Sequence, residues 1–136
     1  MRPRMRMTED EAREEITLAR RGKREARLCD ANLQGAELFG TDLSGTNLYG
    51  AILFKANLHK VAGIIEIGGL DWSLYLIRGD DGPRVKGGIC QWFETRTEAE
   101  AHWMNHSDQK HGALMLAKLD AAWFIATQQG WPGTKE

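Results

Sequence analysis

His102 and His106 stand four residues apart, a spacing that puts two imidazoles on one helix face and suits zinc or nickel. Cys90 and His111 are the further soft donors that folding could bring near. No CxxC pair accompanies them, no third ligand follows at a diagnostic spacing, and no acid completes an HExxH pattern. The simpler reading buries His102 partly beside Trp103 and turns His106 to solvent, so no metal and no cofactor is expected. Cys90 would be a nucleophile only with a base such as His102 beside it. Nothing in the sequence marks an oxyanion hole or an orienting third group, and a small buried cysteine in a strand is the commoner case. Arg78-Gly79-Asp80 spells an adhesion tripeptide but falls in a turn between strands. No catalytic residue is therefore assigned, and the chain is not expected to be an enzyme.

The elements that would position these residues come next. The 136 residues carry a formal charge of −1, which argues against general nucleic-acid binding because phosphate neutralisation needs many free cations. Apolar residues make up 42%, enough for a core. Cys29 and Cys90 show no pairing pattern and read as reduced thiols. Arg2, Arg4 and Arg6 are followed by acidic residues instead of an apolar run, and no stretch approaches the ~20 apolar residues of a membrane span. A soluble, cytoplasmic protein is expected, with no membrane partner.

Thr8 and Glu11 have capping-box spacing. Glu9, Asp10 and Glu11 then open a helix that Arg20, Arg21 and Lys23 close, both favourable with its dipole. Ala12, Ile16 and Ala19 give it a thin apolar stripe, and Gly22 is the expected C′ stop. Such a helix must lie on something.

From Ala26 the chain has a period of five. Leu occupies every third place (Leu28, Leu33, Leu38, Leu43, Leu48, Leu53, Leu58), and the first place is always Ala or Thr, with Ala31, Ala36, Ala51 and Ala56 among them. A helix would smear this period around its surface, and a flat strand would send successive leucines to opposite faces. A square coil with one pentapeptide per side buries every Leu and leaves room only for a small residue two places earlier. The A(D/N)LxG cadence over these residues resembles the pentapeptide-repeat proteins. The resemblance implies a right-handed quadrilateral β-helix with four pentapeptides per coil. Ile52 departs from the usual Asn or Asp, and the register slips at Val61-Ala62-Gly63. Seven repeats make just under two coils, about 10 Å tall at strand-like layer spacing. Stacked repeats generally need three or more layers and capped ends, so the stub depends on lids at both ends.

Past the repeats, Ile64–Ile67 and Trp72–Ile77 read as strands, Gly79-Asp80-Asp81-Gly82 as a turn, and Pro83–Trp92 as a returning strand with a bulge at Gly87-Gly88. Thr95 and Glu98 open a helix, and a break between Ser107 and Gly112 leads into a last helix over 113–129 that is apolar on nearly all sides. Trp72, Trp92, Trp103, Trp123 and Trp131 are expected to build this half's core. Gly88-Ile89-Cys90-Gln91-Trp92-Phe93 and Ala99-Glu100-Ala101-His102-Trp103 resemble the tail of small phage and prophage pentapeptide proteins.

The expected architecture is thus mainly β with α. A short right-handed quadrilateral β-helix (26–62) is capped by an N-terminal helix (1–25) and by a C-terminal β-hairpin plus two-helix module (63–136). The expected function is non-enzymatic protein–protein interaction, as a homodimer joined through Leu116, Leu119, Trp123, Phe124 and Trp131. The phage resemblance implies a host enzyme or defence component as the protein partner. Two alternatives are a DNA-mimic that protects a topoisomerase, as long acidic members of the family do, and a small metal-binding protein or enzyme using Cys90, His102 and His106. A stack of about 10 Å imitates only about three base pairs and its repeats carry no net charge, which weighs against mimicry.

Overall fold

The computed structural model describes residues 9–68, 72–88 and 91–135. Thr8, Arg2, Arg4, Arg6, Ile89 and Cys90 lie outside them. The first element, α1 (Glu9–Arg21), buries Ala12, Ile16 and Ala19 on one face. Its stop differs from expectation. Arg24 N–H donates to Ala19 O at 3.0 Å and Lys23 N–H to Arg20 O at 3.3 Å, a Schellman closure in which Lys23, not Gly22, is left-handed (φ 53°).

Residues 26–63 form two rows of short extended segments. Parallel bridges pair Arg27 with Asn47, Asn32 with Ile52, Glu37 with Asn57, and Asp42 with Ala62, each twenty residues apart. This is a β-helix-like arrangement in which four pentapeptides separate stacked residues. Each place in the repeat has its own physical reason. Leu28, Leu33, Leu38, Leu43 and Leu48 are fully buried and Leu53 nearly so, while Leu58 is half-buried at the margin. Ala31, Ala36 and Ala51 are buried beside them, and Ala56 is half-buried. The second-place side chain accepts from the N–H two residues on, as Asn32 does from Gln34 at 3.2 Å and Asn47 from Tyr49 at 3.0 Å. Ile52 has no oxygen to do so. The fifth place is left-handed throughout, which glycine tolerates best. Lys55 (φ 60°) and Lys60 (φ 55°) adopt it all the same.

The period also runs further than the leucines suggest. Ala62 N–H donates to Thr41 O at 3.0 Å, and Ala62 O accepts from Leu43 N–H at 2.8 Å, so an eighth segment starts at Val61 in register. Its third place is Gly63, left-handed at φ 79°, where a Cβ would fall 2.5 Å from the Ser44 backbone nitrogen. Close approach to the row above excludes a leucine there, and the chain leaves the coil.

The second half is a four-stranded antiparallel sheet with order β1-β2-β3-β4: β1 (Ile64–Ile67), β2 (Leu74–Ile77), β3 (Arg84–Gly87) and β4 (Gln91–Phe93). This corrects the expected hairpin. Gly88 turns left-handed (φ 63°) instead of bulging and splits the expected third strand into β3 and β4. All four residues of β2 are buried because both faces of the sheet are covered. Ile64, Tyr75 and Ile77 join the repeat core, whereas Ile65, Leu74, Leu76 and Val85 join a second core under two helices.

Those helices are α2 (Arg96–Met104) and α3 (Gln109–Gln128). Thr95 caps α2, accepting from Glu98 N–H at 3.2 Å, and Asp108 caps α3, accepting from the N–H groups of Lys110 and His111 at 3.1 Å. The break between them is shorter than expected, and Gly112 sits buried inside α3. A Cβ at Gly112 would lie 2.3 Å from Trp103 O, so glycine is what lets the two helices meet this closely. Lys118 on α3 is buried, and its ammonium donates to Trp72 O at 2.7 Å.

Candidate interaction surfaces

The coil turns its fourth-place side chains outward. Among them Phe39, Tyr49 and Phe54 are large, apolar and exposed, Phe54 to 61%. Phe39 stacks at a tilt on His59 one row below (centroids 5.7 Å apart), and Lys55 lies 5.3 Å from the Phe54 ring centre. The three aromatics stand on three sides of the coil, and exposed large apolar side chains are features that protein partners use.

Two cavities flank the join between coil and sheet. The first, about 570 Å³, lies between the end of α1, residues 44–47 and the β2–β3 turn. Its charges are largely satisfied internally. Arg24 grips Glu15 with two hydrogen bonds of 2.7 and 2.9 Å, and Arg84 pairs with Asp81 at 3.1 Å and with Glu94. Arg24 and the Arg27 N–H together pull the Glu15 carboxyl down to about 2. The second cavity, about 560 Å³, opens between residues 51–55 and the sheet row formed by Glu66, Tyr75 and Lys86. Burial, and then the Glu66 charge, push the Tyr75 hydroxyl well above its ordinary range, so it stays a neutral donor. Trp72, 56% exposed, forms part of the rim with Phe54.

The residues expected at a dimer interface separate. Leu119 is fully buried and Trp131 nearly so, both in the chain's own second core, which corrects their assignment to an interface. Trp123 is half-buried, with the Arg96 guanidinium 5.0 Å from its ring centre, and Leu116 is half-buried against the second core. Phe124 is 65% exposed. The outward face also carries Ala113, Leu114, Ala117 and Ala121. A helix apolar all round gives the sequence reader no sign of which stripe faces out.

His102, His106 and His111 do gather at the α2–α3 corner, with centroids 5.8 Å apart for the first pair and 4.9 Å for the second. His106 Nδ1 accepts from Asp108 N–H at 3.0 Å, which in the neutral ring places the proton on Nε2 and spends its lone pairs. Burial, followed by the charges of His106 and His111, lowers the His102 pKa. Among the described residues no three His, Cys, Asp or Glu side chains are placed to hold a metal ion. Cys90 lies outside them. Burial and the nearby Asp30 and Glu25 raise the Cys29 thiol, the reverse of what a nucleophile needs. No described helix is long and apolar enough to cross a membrane.

A family model described as Pentapeptide repeats matches residues 24–61 in eight copies. This stretch is therefore a pentapeptide-repeat segment. Pentapeptide-repeat proteins are in general non-enzymatic structural and interaction proteins. No curated protein and no solved structure shows a significant match to the chain.

Proposed function

We propose that this chain is a protein–protein interaction protein whose coil is a right-handed quadrilateral β-helix about two turns tall. The helix before it (1–25) and the unit after it (63–136) act as its lids. In this reading it is a cytoplasmic phage or prophage factor that inhibits a host enzyme or defence component, of the anti-restriction or anti-CRISPR type. The observation that supports the interaction reading is the exposure of three large aromatic side chains, Phe39, Tyr49 and Phe54, on three sides of the coil. The resemblance of the Trp92 and Trp103 motifs to the C-terminal part of small phage and prophage pentapeptide proteins supports the setting.

The protein acts as a homodimer through α3. Its outward face is self-complementary in an antiparallel pairing centred on residue 119: Leu114 meets Phe124 of a second copy, and Ala117 meets Ala121. Light scattering at micromolar concentration should give twice 15.3 kDa, and Phe124→Asp should give the monomer. Capture with the tagged chain from host lysate should recover an immune nuclease, and Phe39→Ala with Phe54→Ala should lose it. Recovery of a topoisomerase by the same bait would instead favour the DNA-mimic alternative, and a chain that captures nothing would sink the reading.

A further inference from the structure

Glycine suits the left-handed fifth place of the repeat best, and Gly35, Gly40, Gly45 and Gly50 occupy it. The second row then departs from glycine twice in succession. Lys55 (φ 60°) and Lys60 (φ 55°) stand at the two corners that bracket the side formed by residues 56–60. Each lies one row below a glycine, since Gly35 N–H donates to Phe54 O at 3.0 Å and Gly40 N–H donates to His59 O at 3.4 Å. A Cβ at either glycine would meet nothing within 4 Å, so the corners above are open and press on neither lysine. A left-handed lysine costs free energy that glycine would not, and strain kept at an exposed site points to use.

Both lysines are exposed. Lys55 Nζ lies 5.3 Å from the Phe54 ring centre, and neither ammonium forms an ion pair or hydrogen bond among the described residues. The side between them is bare and almost free of competing charge. His59 is exposed and stacks under Phe39, itself 50% exposed. The one acid on this side, Glu37 in the row above, is already engaged. Its carboxylate accepts from Asn57 Nδ2–H at 2.7 Å and from Phe39 N–H at 3.1 Å.

We propose that this side of the coil docks an acidic segment of a protein partner. Two carboxylates of the segment reach Lys55 and Lys60, and an aromatic side chain between them packs on Phe39 and His59. The two corners are about 10 Å apart along the backbone, the rise of three extended residues. In an extended guest, residues i, i+2 and i+4 share one face and span about 13 Å, a difference that flexible lysine stems absorb. The guest pattern is therefore acid-x-aromatic-x-acid. A nucleic acid fits this side poorly, because two ammonium groups neutralise too few phosphates and the chain's formal charge is −1. Glu9, Asp10 and Glu11 also open α1 beside the row above, where Glu9 accepts from Glu37 N–H, and would repel a polyanion. This proposal rests on the interaction reading and names its surface and the chemistry of its partner.

The test uses the full chain and the capped peptide acetyl-Gly-Glu-Ala-Phe-Ala-Glu-Gly-amide, followed by NMR shifts of the Phe39 and His59 rings. Millimolar peptide should move both rings, and raising salt from about 50 to 300 mM should weaken binding about threefold or more. The same peptide with Gln for both Glu residues should bind about tenfold more weakly. Lys55→Gly with Lys60→Gly should weaken binding of the acidic peptide by a similar factor while raising the Tm, because glycine relieves both corners. Lys55→Arg with Lys60→Arg keeps the charge and should keep binding. Rings that stay still at millimolar peptide, equal binding of the Gln peptide, or unchanged binding by the glycine variant would each overturn the proposal. So would a glycine variant that melts below the wild-type chain, or a short DNA duplex that moves the same rings at lower concentration than the peptide. The interaction reading fails separately: a chain that captures its partner equally well with and without the two lysines keeps that reading and loses this side.

Discussion

The two ends of the repeat stack are closed by opposite means. At the first end α1 satisfies the open backbone of residues 27–42 with charged side chains. Glu15 accepts from Arg27 N–H at 2.8 Å, Arg20 donates to Asp42 O at 3.2 Å, and Glu37 is held through its N–H by Glu9 and through its carbonyl by Arg13. At the other end the sheet covers the leucines with Ile64, Tyr75 and Ile77, and among the described residues it brings no main-chain bond to the outer edge at 46–58. A helix has no free main-chain groups along its flank, so it can cap a β edge only with long polar side chains. A sheet laid face-on has its own groups tied up and brings apolar side chains instead. The first lid therefore works through polar contacts, and the second through apolar cover.

The largest effect should come from forcing apart the sheet end. Gly63→Val meets the Ser44 backbone and sits at φ 79°, so strain and overpacking together should cost about 3–5 kcal/mol, read as a lower urea midpoint. A loss under 1 kcal/mol would mean that the exit from the coil is loose. The helix end should give a smaller loss. Glu15→Ala removes both Arg24 bonds and the acceptor for Arg27 N–H, for about 1–2 kcal/mol after allowance for partial exposure, and should raise exchange at the Arg27 amide. Smaller still, and opposite in sign, Lys23→Gly relieves a left-handed lysine at the Schellman turn. It should add about 0.5–1 kcal/mol to stability, measured by thermal melting.

The same contrast explains what could be read in advance. Leucine at every third place and Ala or Thr at every first announced the coil because burial there is dictated by side-chain size, residue by residue. The second-place Asn and Asp were legible as part of the cadence, although their work as acceptors for the next-but-one N–H shows only in the bonds. Lys55 and Lys60 hide the left-handed fifth place, because the fold overrides their preference. Gly63 hid the eighth segment, because the third place was recognised by its leucine and here closeness to Ser44 excludes one. In the second half, Leu119 and Phe124 belong to one apolar class, yet one is buried and the other bare. Composition alone cannot orient a helix whose every side is greasy. The gathering of His111 with His102 and His106 depends on the α2–α3 corner, which no linear spacing encodes.

The smallest expected effect uses pH to weaken the two ends one at a time. His102 belongs to the layer behind the sheet, and its pKa in the fold lies below the ordinary 6.5 because burial and the His106 and His111 charges disfavour its proton. The unfolded chain therefore takes up that proton first. Stability should be full above pH 6.5 and decline as pH falls below it, until the folded ring titrates as well. Around the ring are Gln91, at 3.0 Å from its Nε2, the Phe93 and Trp103 rings, and the other two histidines. None of these contacts supplies an anion to offset the charge. Glu15 behaves in the opposite range: its carboxylate is held well below 4.5, so the contribution it makes to the α1 lid is present above 4.5 and lost as pH falls toward 2. Hydrogen exchange between pH 7 and 5 should thus loosen α2 and the start of α3 while the Arg27 amide stays protected. Below pH 4.5 the Arg27 amide should open as well. His102→Gln should remove part of the first change and none of the second, whereas simultaneous loosening of both ends at pH 6 would show that the lids are one cooperative unit.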